Sequence, residues 1–277
     1  MAYNIIKGKY CGFCSGVKRA VKMAEDSAET GKVYTLGPII HNPQVVEKLR
    51  KSNIIDVIKI DEIEENSTVL IRSHGITSEK EEDLCNRKLN VIDATCPKVK
   101  KTHRICRDLS EKYDKVFIIG IKSHPEVIGI LSRAHEKGVV ISSVEEAADV
   151  PETDNAGVLV QTTFRRKKFF DIVSELMKKS SVIEIHNTIC EETVNRQKEL
   201  EAVAENADIL FVIGGKNSSN TKRLYEMSCE IVESYHIEKP EDIDDSWLKD
   251  KRRIGLISGA STPINMVEKV ENKIKKI

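Results

Sequence analysis

Three cysteines, Cys14, Cys96 and Cys190, occupy the same kind of position along the chain. Each follows a short apolar segment that is typical of a strand, and each precedes a segment with helical periodicity. The next strand-ending glycine follows at a nearly constant spacing: residues 14 to 37, 96 to 120 and 190 to 214 are 23, 24 and 24 apart. We infer that the chain repeats one unit three times, and that this repeat fixes its architecture.

The three units share one order of features. After each cysteine come a helix, a strand that ends in glycine, a polar loop that opens a second helix, a strand followed by an acidic segment, and a strand with a polar end. The polar ends stand at residues 73, 161 and 258, which is 36, 41 and 44 residues beyond the glycines. Strands that alternate with helices predict parallel, helix-covered sheets. We therefore expect three α/β lobes over residues 1–95, 96–189 and 190–277.

Individual elements are predicted from the same patterns. Residues 33–36 and 209–213 indicate short buried strands, and residues 54–60 indicate a longer one. A helix is predicted from Pro125 to about Lys137, while the acidic pair Glu145-Glu146 receives no element. Ligands in such folds bind beyond the carboxyl ends of the strands, where every polar motif lies. The lobes are expected to form a ring around one central cavity.

Composition excludes several function classes. The 44 Lys and Arg residues balance the 44 Asp and Glu residues, which gives no support for a nucleic-acid or membrane-surface partner. No apolar run approaches the length of a membrane span, and the first nine residues lack the apolar core of a signal peptide. Seven cysteines, an odd number in a long chain, argue against a disulfide framework. We expect a cytoplasmic protein.

The three repeated cysteines are candidate metal ligands. Thiolates at helix N-termini are stabilised by the positive end of the helix. Structural zinc usually takes four ligands in close pairs, whereas these cysteines are 82 and 94 residues apart, so three thiolates with an open fourth position favour an iron–sulfur cluster. The pair Cys11-x-x-Cys14 leaves a redox dithiol open as an alternative. Structural roles are expected for Cys85, Cys106 and Cys229.

Three histidines, His41, His74 and His124, lie in polar loops at strand ends and are candidate ligand-binding residues. The remaining four histidines are expected to be structural or solvated. Further donors stand at helix starts, namely Ser218, Ser219, Asn220 and Ser261. Although serine and asparagine also cap helices, free N–H groups at such positions bind anions, so the set indicates a phosphate or diphosphate.

Glu126 lies in the first turn of the helix that His124 opens. A surface carboxylate at a helix N-terminus is the plain interpretation, because the helix dipole favours negative charge there. In a closed cavity the same carboxyl group would be suited to proton delivery. Thr162, at the polar strand end of the middle repeat, could hydrogen-bond a ligand or relay that proton.

These residues stand in motifs that resemble those of the 4-hydroxy-3-methylbut-2-enyl diphosphate reductase family. The match extends over nearly the whole chain in order, and Cys11 falls outside it. The motifs are Gly12-Phe13-Cys14-Ser15-Gly16-Val17, His41-Asn42, Ser73-His74-Gly75, Asp93-Ala94-Thr95-Cys96-Pro97, His124-Pro125-Glu126-Val127, Gln161-Thr162-Thr163, Cys190 with Thr193, Asn195, Arg196 and Gln197, Lys216-Asn217-Ser218-Ser219-Asn220, and Gly259-Ala260-Ser261.

The resemblance implies a trefoil of three α/β lobes around one central [4Fe–4S] cluster. By position, Cys14, Cys96 and Cys190 would hold three irons, and the fourth iron would bind the substrate's allylic hydroxyl. Glu126 would feed protons with help from Thr162. The diphosphate would be bound by His41, His74, His124, Ser218, Ser219, Asn220 and Ser261.

The implied activity is the last step of the non-mevalonate (MEP) pathway of isoprene biosynthesis. Two electrons from a ferredoxin or flavodoxin, with two protons, would remove the hydroxyl of (E)-4-hydroxy-3-methylbut-2-enyl diphosphate as water. The products would be isopentenyl and dimethylallyl diphosphates. An alternative from another class is a non-enzymatic iron–sulfur or thiol sensor that binds a phosphorylated ligand. Such a sensor would need the three cysteines but not Glu126.

Overall fold

The computed structural model of the protein describes residues 3–277. These residues form two compact units. One unit comprises the stretch up to Lys18 together with Ile40–Lys48 and Glu191–Ile277, and the other comprises Arg19–Ile39 and Leu49–Cys190. No helix within this range is long and apolar enough to cross a membrane.

Short strands alternate with helices along the chain, as the repeat predicts. The strands are β1 (Asn4–Lys7), β2 (Val33–Leu36), β3 (Ile54–Val57), β4 (Thr68–Ile71), β5 (Asn90–Asp93), β6 (Lys115–Ile119), β7 (Gly138–Ile141), β8 (Thr153–Val160), β9 (Ser180–His186), β10 (Ile209–Ile213), β11 (Ser234–Ile237) and β12 (Arg253–Ser258). The helices are α1 (Ser15–Ala28), α2 (Pro43–Lys51), α3 (Ser78–Asn86), α4 (Pro97–Lys112), α5 (Pro125–Leu131), α6 (Val144–Ala148), α7 (Arg166–Leu176), α8 (Glu191–Ala204), α9 (Ser219–Cys229) and α10 (Ile264–Ile274).

The strands form three four-stranded sheets with equivalent strand orders. These are β5-β4-β2-β3, β9-β8-β6-β7 and β1-β12-β10-β11, and every pairing is parallel. In each order the first strand leads to a cysteine, the second ends in a polar motif, and the third ends in glycine. The predicted α/β class with three equivalent lobes is thereby confirmed.

The first strand does not belong to the lobe in which the sequence boundaries place it. β1 lies within residues 1–95, yet it pairs with β12, with Ile5 opposite Ile254 and Lys7 opposite Leu256. An edge strand needs a hydrogen-bonding partner, and the matching position beside β4 is already taken by β5. The third sheet is thus completed by the N-terminus. The boundaries at residues 95 and 189 otherwise stay a prediction.

Central strands are apolar on both faces, as expected for helix-covered parallel sheets. In β10, Ile209, Phe211 and Ile213 enter one core cluster, while Leu210 and Val212 enter the cluster on the opposite face. The period-2 alternation of side chains therefore supplies two separate cores from one strand. β6 divides its residues between two clusters in the same way.

The acidic segments of the three repeats have one structural role. Each follows the last strand of a sheet, and a carboxylate from each accepts a 2.8 Å hydrogen bond from a backbone N–H three or four residues earlier. The bonds join Lys59 N to Glu62, Ser142 N to Glu146, and Glu238 N to Asp242. In the second lobe this segment forms the short helix α6, whose start is capped by Ser143. The sequence pattern did not predict that helix.

Two predicted elements are shorter in the structure. α5 ends at Leu131 rather than near Lys137, because the chain turns and His135 adopts φ 51°, which is outside the right-handed helical region. β3 ends at Val57 rather than at residue 60, because Ile60–Glu62 forms a 3₁₀ turn.

Candidate active site

The three cysteine loops are attached to their sheets in the same way. In each loop the cysteine N–H donates to a carbonyl just beyond the polar end of the neighbouring strand. The bonds are Cys14 N to Ala260 O at 3.0 Å, Cys96 N to Ser73 O at 3.0 Å, and Cys190 N to Thr162 O at 2.8 Å. The loop therefore follows from the strand order, because the strand that leads to the cysteine always lies beside the strand with the polar end.

The thiols of these loops stand at helix starts. Cys14 and Cys96 already accept the first helical hydrogen bonds through their carbonyls, and the Cys14 sulfur accepts a bond from Val17 N at 3.4 Å. The partial positive charge of a helix N-terminus favours the thiolate. All three thiols are half-buried and free of disulfides. Three soft thiolate donors on equivalent loops fit an iron–sulfur cluster, whose irons prefer such ligands.

Cys11 has a different environment from Cys14, although the two are three residues apart. Its sulfur lies 3.7 Å from Leu256 O and packs against the core of the third sheet. Burial raises the pKa of the Cys11 thiol, while a hydrogen bond from Ser258 acts in the opposite direction. A protonated thiol in a core is a poor ligand and a poor nucleophile.

A buried arginine holds the Cys14 loop. Arg196 on α8 is 3% exposed, and its guanidinium donates to Gly12 O at 2.9 Å and to Ser258 O at 3.2 Å. In addition, Gly12 N donates to the Ser258 hydroxyl at 2.9 Å. The loop and the end of β12 are therefore fixed to each other by one side chain. Gly12 has φ 108°, a conformation that favours glycine at this position.

The Cys96 loop is held in a similar way by Arg19 on α1. Its guanidinium donates to Thr95 O at 3.3 Å and to Asp93 O at 3.5 Å. Arg19 stands five residues after Cys14, and Arg196 stands six residues after Cys190. Neither arginine was predicted to have a role from the sequence. Their matching position after two repeated cysteines was the signal that could have identified them.

Glu126 is buried and bound by Thr162. The Glu126 side chain is 1% exposed, so it is not the surface carboxylate of the plain interpretation. Thr162 N donates to Oε1 at 2.6 Å, and Thr162 Oγ1 lies 2.8 Å from Oε2. The carbonyl of Thr162 also accepts the bond from Cys190 N. One threonine thus connects the buried acid to a cysteine loop.

His124 caps the helix that carries this acid. Its Nδ1 accepts a hydrogen bond from Glu126 N at 3.2 Å, so a neutral His124 ring carries its proton on Nε2. The rings of His74 and His124 are 5.5 Å apart in an edge-on arrangement. The structure therefore brings the predicted residues His74 and His124 together, and His124 is in contact with Glu126.

His103 on α4 packs against the segments that contain Gly75 and Gly129. It is 7% exposed, and a Cβ atom added at Gly75 or at Gly129 would lie 2.9 Å or 3.2 Å from its ring. Gly75 follows His74, and Gly129 belongs to α5. Burial, and to a smaller extent the charge of Arg133, lowers the pKa of His103 to about 4. The ring is therefore neutral near neutral pH, and it supports both segments as a structural residue.

Hydroxyl and amide groups gather around the start of α9. The hydroxyls of Ser218 and Ser261 are 3.5 Å apart, and the Ser261 hydroxyl donates to His41 O at 3.4 Å. Ser218 also caps α9 by accepting from Thr221 N at 3.3 Å. The buried Nδ2 of Asn220 has no hydrogen-bond partner among residues 3–277. Because a buried donor is costly to leave unpaired, this amide fits a site for an acceptor ligand.

The predicted site residues divide between the two compact units. The first unit contains Cys14, His41, Ser218, Ser219, Asn220 and Ser261, and the second contains His74, Cys96, His124, Glu126, Thr162 and Cys190. Within each unit they lie at the carboxyl ends of strands or at the helix starts that follow, as the sequence predicts.

Known proteins similar to this chain match it almost from end to end. A family model described as LytB protein matches residues 5–275. A 4-hydroxy-3-methylbut-2-enyl diphosphate reductase from Aquifex aeolicus is 42% identical over 280 residues, which cover 99% of this chain and 96% of the relative. The enzyme of the same name from Geobacter metallireducens is 43% identical over 276 residues, with 99% and 98% covered.

Solved structures give the same result. A structure of (E)-4-hydroxy-3-methyl-but-2-enyl diphosphate reductase, described as the terminal enzyme of the non-mevalonate pathway, matches with a TM-score of 0.73 at 42% identity and covers 99% of this chain and 100% of its own. A structure of the E-1-hydroxy-2-methyl-but-2-enyl-4-diphosphate reductase from Plasmodium falciparum matches with a TM-score of 0.94 at 30% identity and covers 98% of this chain and 88% of its own. Sequence, family model and fold agree over the full length, and the chain belongs to the LytB family.

Proposed function

We propose that the protein reduces (E)-4-hydroxy-3-methylbut-2-enyl diphosphate to isopentenyl and dimethylallyl diphosphates. The allylic C–O bond breaks, two electrons and two protons are taken up, and the hydroxyl leaves as water. The relatives' names supply the reaction, and one observation in this chain carries the proposal. Thr162 binds the buried carboxylate of Glu126 twice, and its carbonyl holds the backbone of Cys190. The proposed proton source and one proposed ligand loop thus share Thr162 as a contact.

A [4Fe–4S] cluster, one per chain, is the proposed cofactor, with Cys14, Cys96 and Cys190 as its ligands. When bound, such a cluster would supply electrons and a Lewis-acidic iron, which the loss of a poor leaving group needs. The equivalent attachment of the three loops supports this ligand set, since each cysteine N–H is fixed at 2.8–3.0 Å to its sheet. Structural zinc would need close pairs of ligands, and Cys11-x-x-Cys14 does not supply one, because the Cys11 sulfur packs against the core of the third sheet.

Proton delivery is assigned to Glu126 and Thr162. Both oxygens of the Glu126 carboxylate accept hydrogen bonds from Thr162. A hydroxyl can accept and donate at the same time, so rotation of the Thr162 O–H lets a protonated Glu126 pass its proton through Oγ1 to a leaving hydroxyl. Burial keeps water away from the pair, which protects a reduced allylic species from side reactions.

The diphosphate is proposed to bind neutral donors. These are His41, His74, His124, Ser218, Ser219, Asn220 and Ser261, and Thr162 would also contact the substrate. The Nδ1 of His124 is occupied by Glu126 N, which leaves Nε2 as the proton-bearing atom of a neutral ring. The buried Nδ2 of Asn220 adds a donor that lacks a partner within residues 3–277.

Electrons are proposed to come from a ferredoxin or flavodoxin type of donor. We also infer a cytoplasmic location, which is supported by seven cysteines without disulfides, as a reducing compartment would require.

An anaerobic assay with the allylic diphosphate and a reduced donor tests the proposal. We expect both isoprenoid diphosphates to form, and we expect the purified protein to contain iron and acid-labile sulfide. One zinc and no sulfide would exclude the cluster. A protein that holds the cluster and binds the diphosphate without forming product would instead be the non-enzymatic sensor.

A further inference from the structure

Arg72 is a charged residue at the carboxyl end of β4, outside the predicted set of site residues. It directly follows Ile71 and stands one residue before Ser73 and two before His74. Its guanidinium lies over Gly37, at the end of the neighbouring strand β2. A Cβ atom at Gly37 would lie 2.8 Å from Nη1 of Arg72, so the guanidinium would have to move to admit a side chain, and the φ of 73° also favours glycine at this position.

The guanidinium has no counter-charge. Among residues 3–277, no carboxylate and no other acceptor forms an ion pair or hydrogen bond with the Arg72 side chain, and its Nε is completely buried without a partner. Burial alone lowers the pKa of Arg72. The buried residues Arg133 and Arg196 share the unpartnered Nε but differ in the rest of the guanidinium, since Arg133 contacts Glu81 at 2.7 Å and Arg196 donates to two carbonyls.

Such an arrangement is unfavourable in the free protein. A partly buried cation loses hydration, and neither Coulombic attraction nor hydrogen bonds replace it here. A group kept in this state at the carboxyl end of a parallel sheet stands where ligands bind in this class of fold. Arginine presents planar N–H groups that match phosphate oxygens in pairs.

The proposed substrate carries several negative charges, whereas its predicted binding set has no fixed positive charge. That set consists of histidine, serine, threonine and asparagine side chains, and His124 accepts a hydrogen bond that a doubly protonated ring could not accept. Some cation is therefore expected to meet the diphosphate. Arg72 stands two residues before His74 and four residues after Thr68, the first residue of β4.

We propose that Arg72 is an additional anion-binding residue, which pairs with a phosphate group of the substrate's diphosphate. The inference rests on the proposed function, because that function supplies the diphosphate. The unpaired guanidinium is then a feature of the free protein, and the bound phosphate provides the missing acceptor. Gly37 provides the space in which the guanidinium lies.

The test measures the melting temperature and the affinity for pyrophosphate. Loss of a structural residue would lower the melting temperature, whereas loss of a binding residue would lower the affinity. Arg72→Met keeps much of the aliphatic stem and removes the charge. We expect its melting temperature to equal or exceed that of the parent protein, because an unpaired cation is removed. Its dissociation constant for inorganic pyrophosphate, measured by calorimetry on anaerobically prepared protein, is expected to rise about tenfold or more. Arg72→Lys keeps the positive charge but loses the planar guanidinium that pairs with two phosphate oxygens. Its dissociation constant is expected to lie between those of the parent and Arg72→Met.

Arg50→Met is the matched control, since it removes the same charge from a residue that pairs with Asp56 at 2.7 Å. It is expected to bind pyrophosphate like the parent and to melt slightly lower. The inference is overturned if the parent does not bind pyrophosphate, if Arg72→Met binds it equally well, or if Arg72→Met melts lower than the parent. Failure of the proposed function is a separate result, because it is measured as the absence of turnover of the allylic diphosphate by the parent protein.

Discussion

The carboxylate of Glu126 is bound at both oxygens by Thr162, through the backbone N–H at 2.6 Å and the hydroxyl at 2.8 Å. The backbone contact persists whatever side chain stands at position 162, whereas the second contact depends on the hydroxyl. Substitutions at the two positions can therefore separate the presence of the acid from its orientation.

Glu126→Gln is expected to lower turnover about 10²- to 10⁴-fold, because an amide cannot deliver the proton. The amide has the same shape, so iron and sulfide content and pyrophosphate binding are expected to match the parent. Anaerobic steady-state assays and metal analysis provide the measurement. Turnover close to that of the parent would remove Glu126 from the mechanism.

Thr162→Val removes the hydroxyl and keeps the backbone bond to Glu126. Turnover is expected to fall more than in Thr162→Ser, which keeps a hydroxyl at the same atom. Valine has the shape of threonine and lacks its hydroxyl, whereas serine keeps the hydroxyl and lacks the methyl group, so the pair separates the effects of the two groups. If the serine and valine variants were equally impaired, the side-chain hydroxyl would have no part in proton transfer.

Arg196→Met is expected to release the Cys14 loop. Two buried carbonyls, Gly12 O and Ser258 O, lose their donor, and each unsatisfied group costs about 1–3 kcal/mol. We expect a lower free energy of unfolding and a lower iron-to-protein ratio in a chain that remains folded by circular dichroism. Arg253→Met, which breaks an exposed pair with Asp208, is the control and should change stability by less than about 1 kcal/mol. A full iron content in Arg196→Met would show that the arginine does not position a ligand loop.

Cys11→Ala and Cys14→Ala are expected to differ completely in cluster content. The Cys11 sulfur packs in a core and lies beside Leu256 O, so its removal should cost about 1 kcal/mol of stability and no iron. Cys14→Ala should lose most of its iron and sulfide. Equal losses in the two variants would make Cys11 a ligand.

His103 makes stability depend on pH in acid solution. Burial lowers its pKa from 6.5 to about 4, so the unfolded chain binds a proton between these values that the folded protein does not bind. The contribution of the neutral His103 ring to the free energy of unfolding is therefore fully present above pH 6.5. It is lost as the pH falls towards 4, by about 3 kcal/mol in total. Among the charged groups near the ring, Arg133 and Arg107 act in the same direction as burial, and Asp93 opposes them.

Denaturant unfolding at pH 7 and pH 5 measures this effect, with His103→Gln as the comparison. The parent is expected to lose more stability than the variant between the two values. Equal losses would assign the acid sensitivity to other groups.

The repeat made much of the fold predictable. β2 and β10 have the predicted bounds, because each is a short buried run between a helix and a glycine. The pairing of β1 with β12 was not predictable from the same pattern, since the partners are some 250 residues apart and a repeat does not specify where it closes. Local patterns likewise could not reveal that Glu126 is buried, because the partner that covers its oxygens, Thr162, lies just beyond β8 and 36 residues further along the chain.

The candidate site was predictable as a set of positions and not as a set of contacts. Strand ends and helix starts are visible in the sequence, and they identify Cys14 and its counterparts. The arginines that fix the loops bind backbone carbonyls, and such acceptors leave no mark in a sequence. Arg72 could not be identified from the sequence for a different reason, because the observation that singles it out is the lack of a partner for its Nε within residues 3–277.

The pairing of β1 with β12 also sets the order in which the protein can be assembled on the ribosome. β1 is synthesised first, but the strand that it joins ends at Ser258, and the carbonyl that fixes Cys14 belongs to Ala260. Sheets β5-β4-β2-β3 and β9-β8-β6-β7 can form before β12 has been synthesised, whereas the Cys14 loop gains its partners only after residues 253–260 have been added to the chain. Of the three candidate ligands, the first to be translated is therefore the last to be positioned by its sheet.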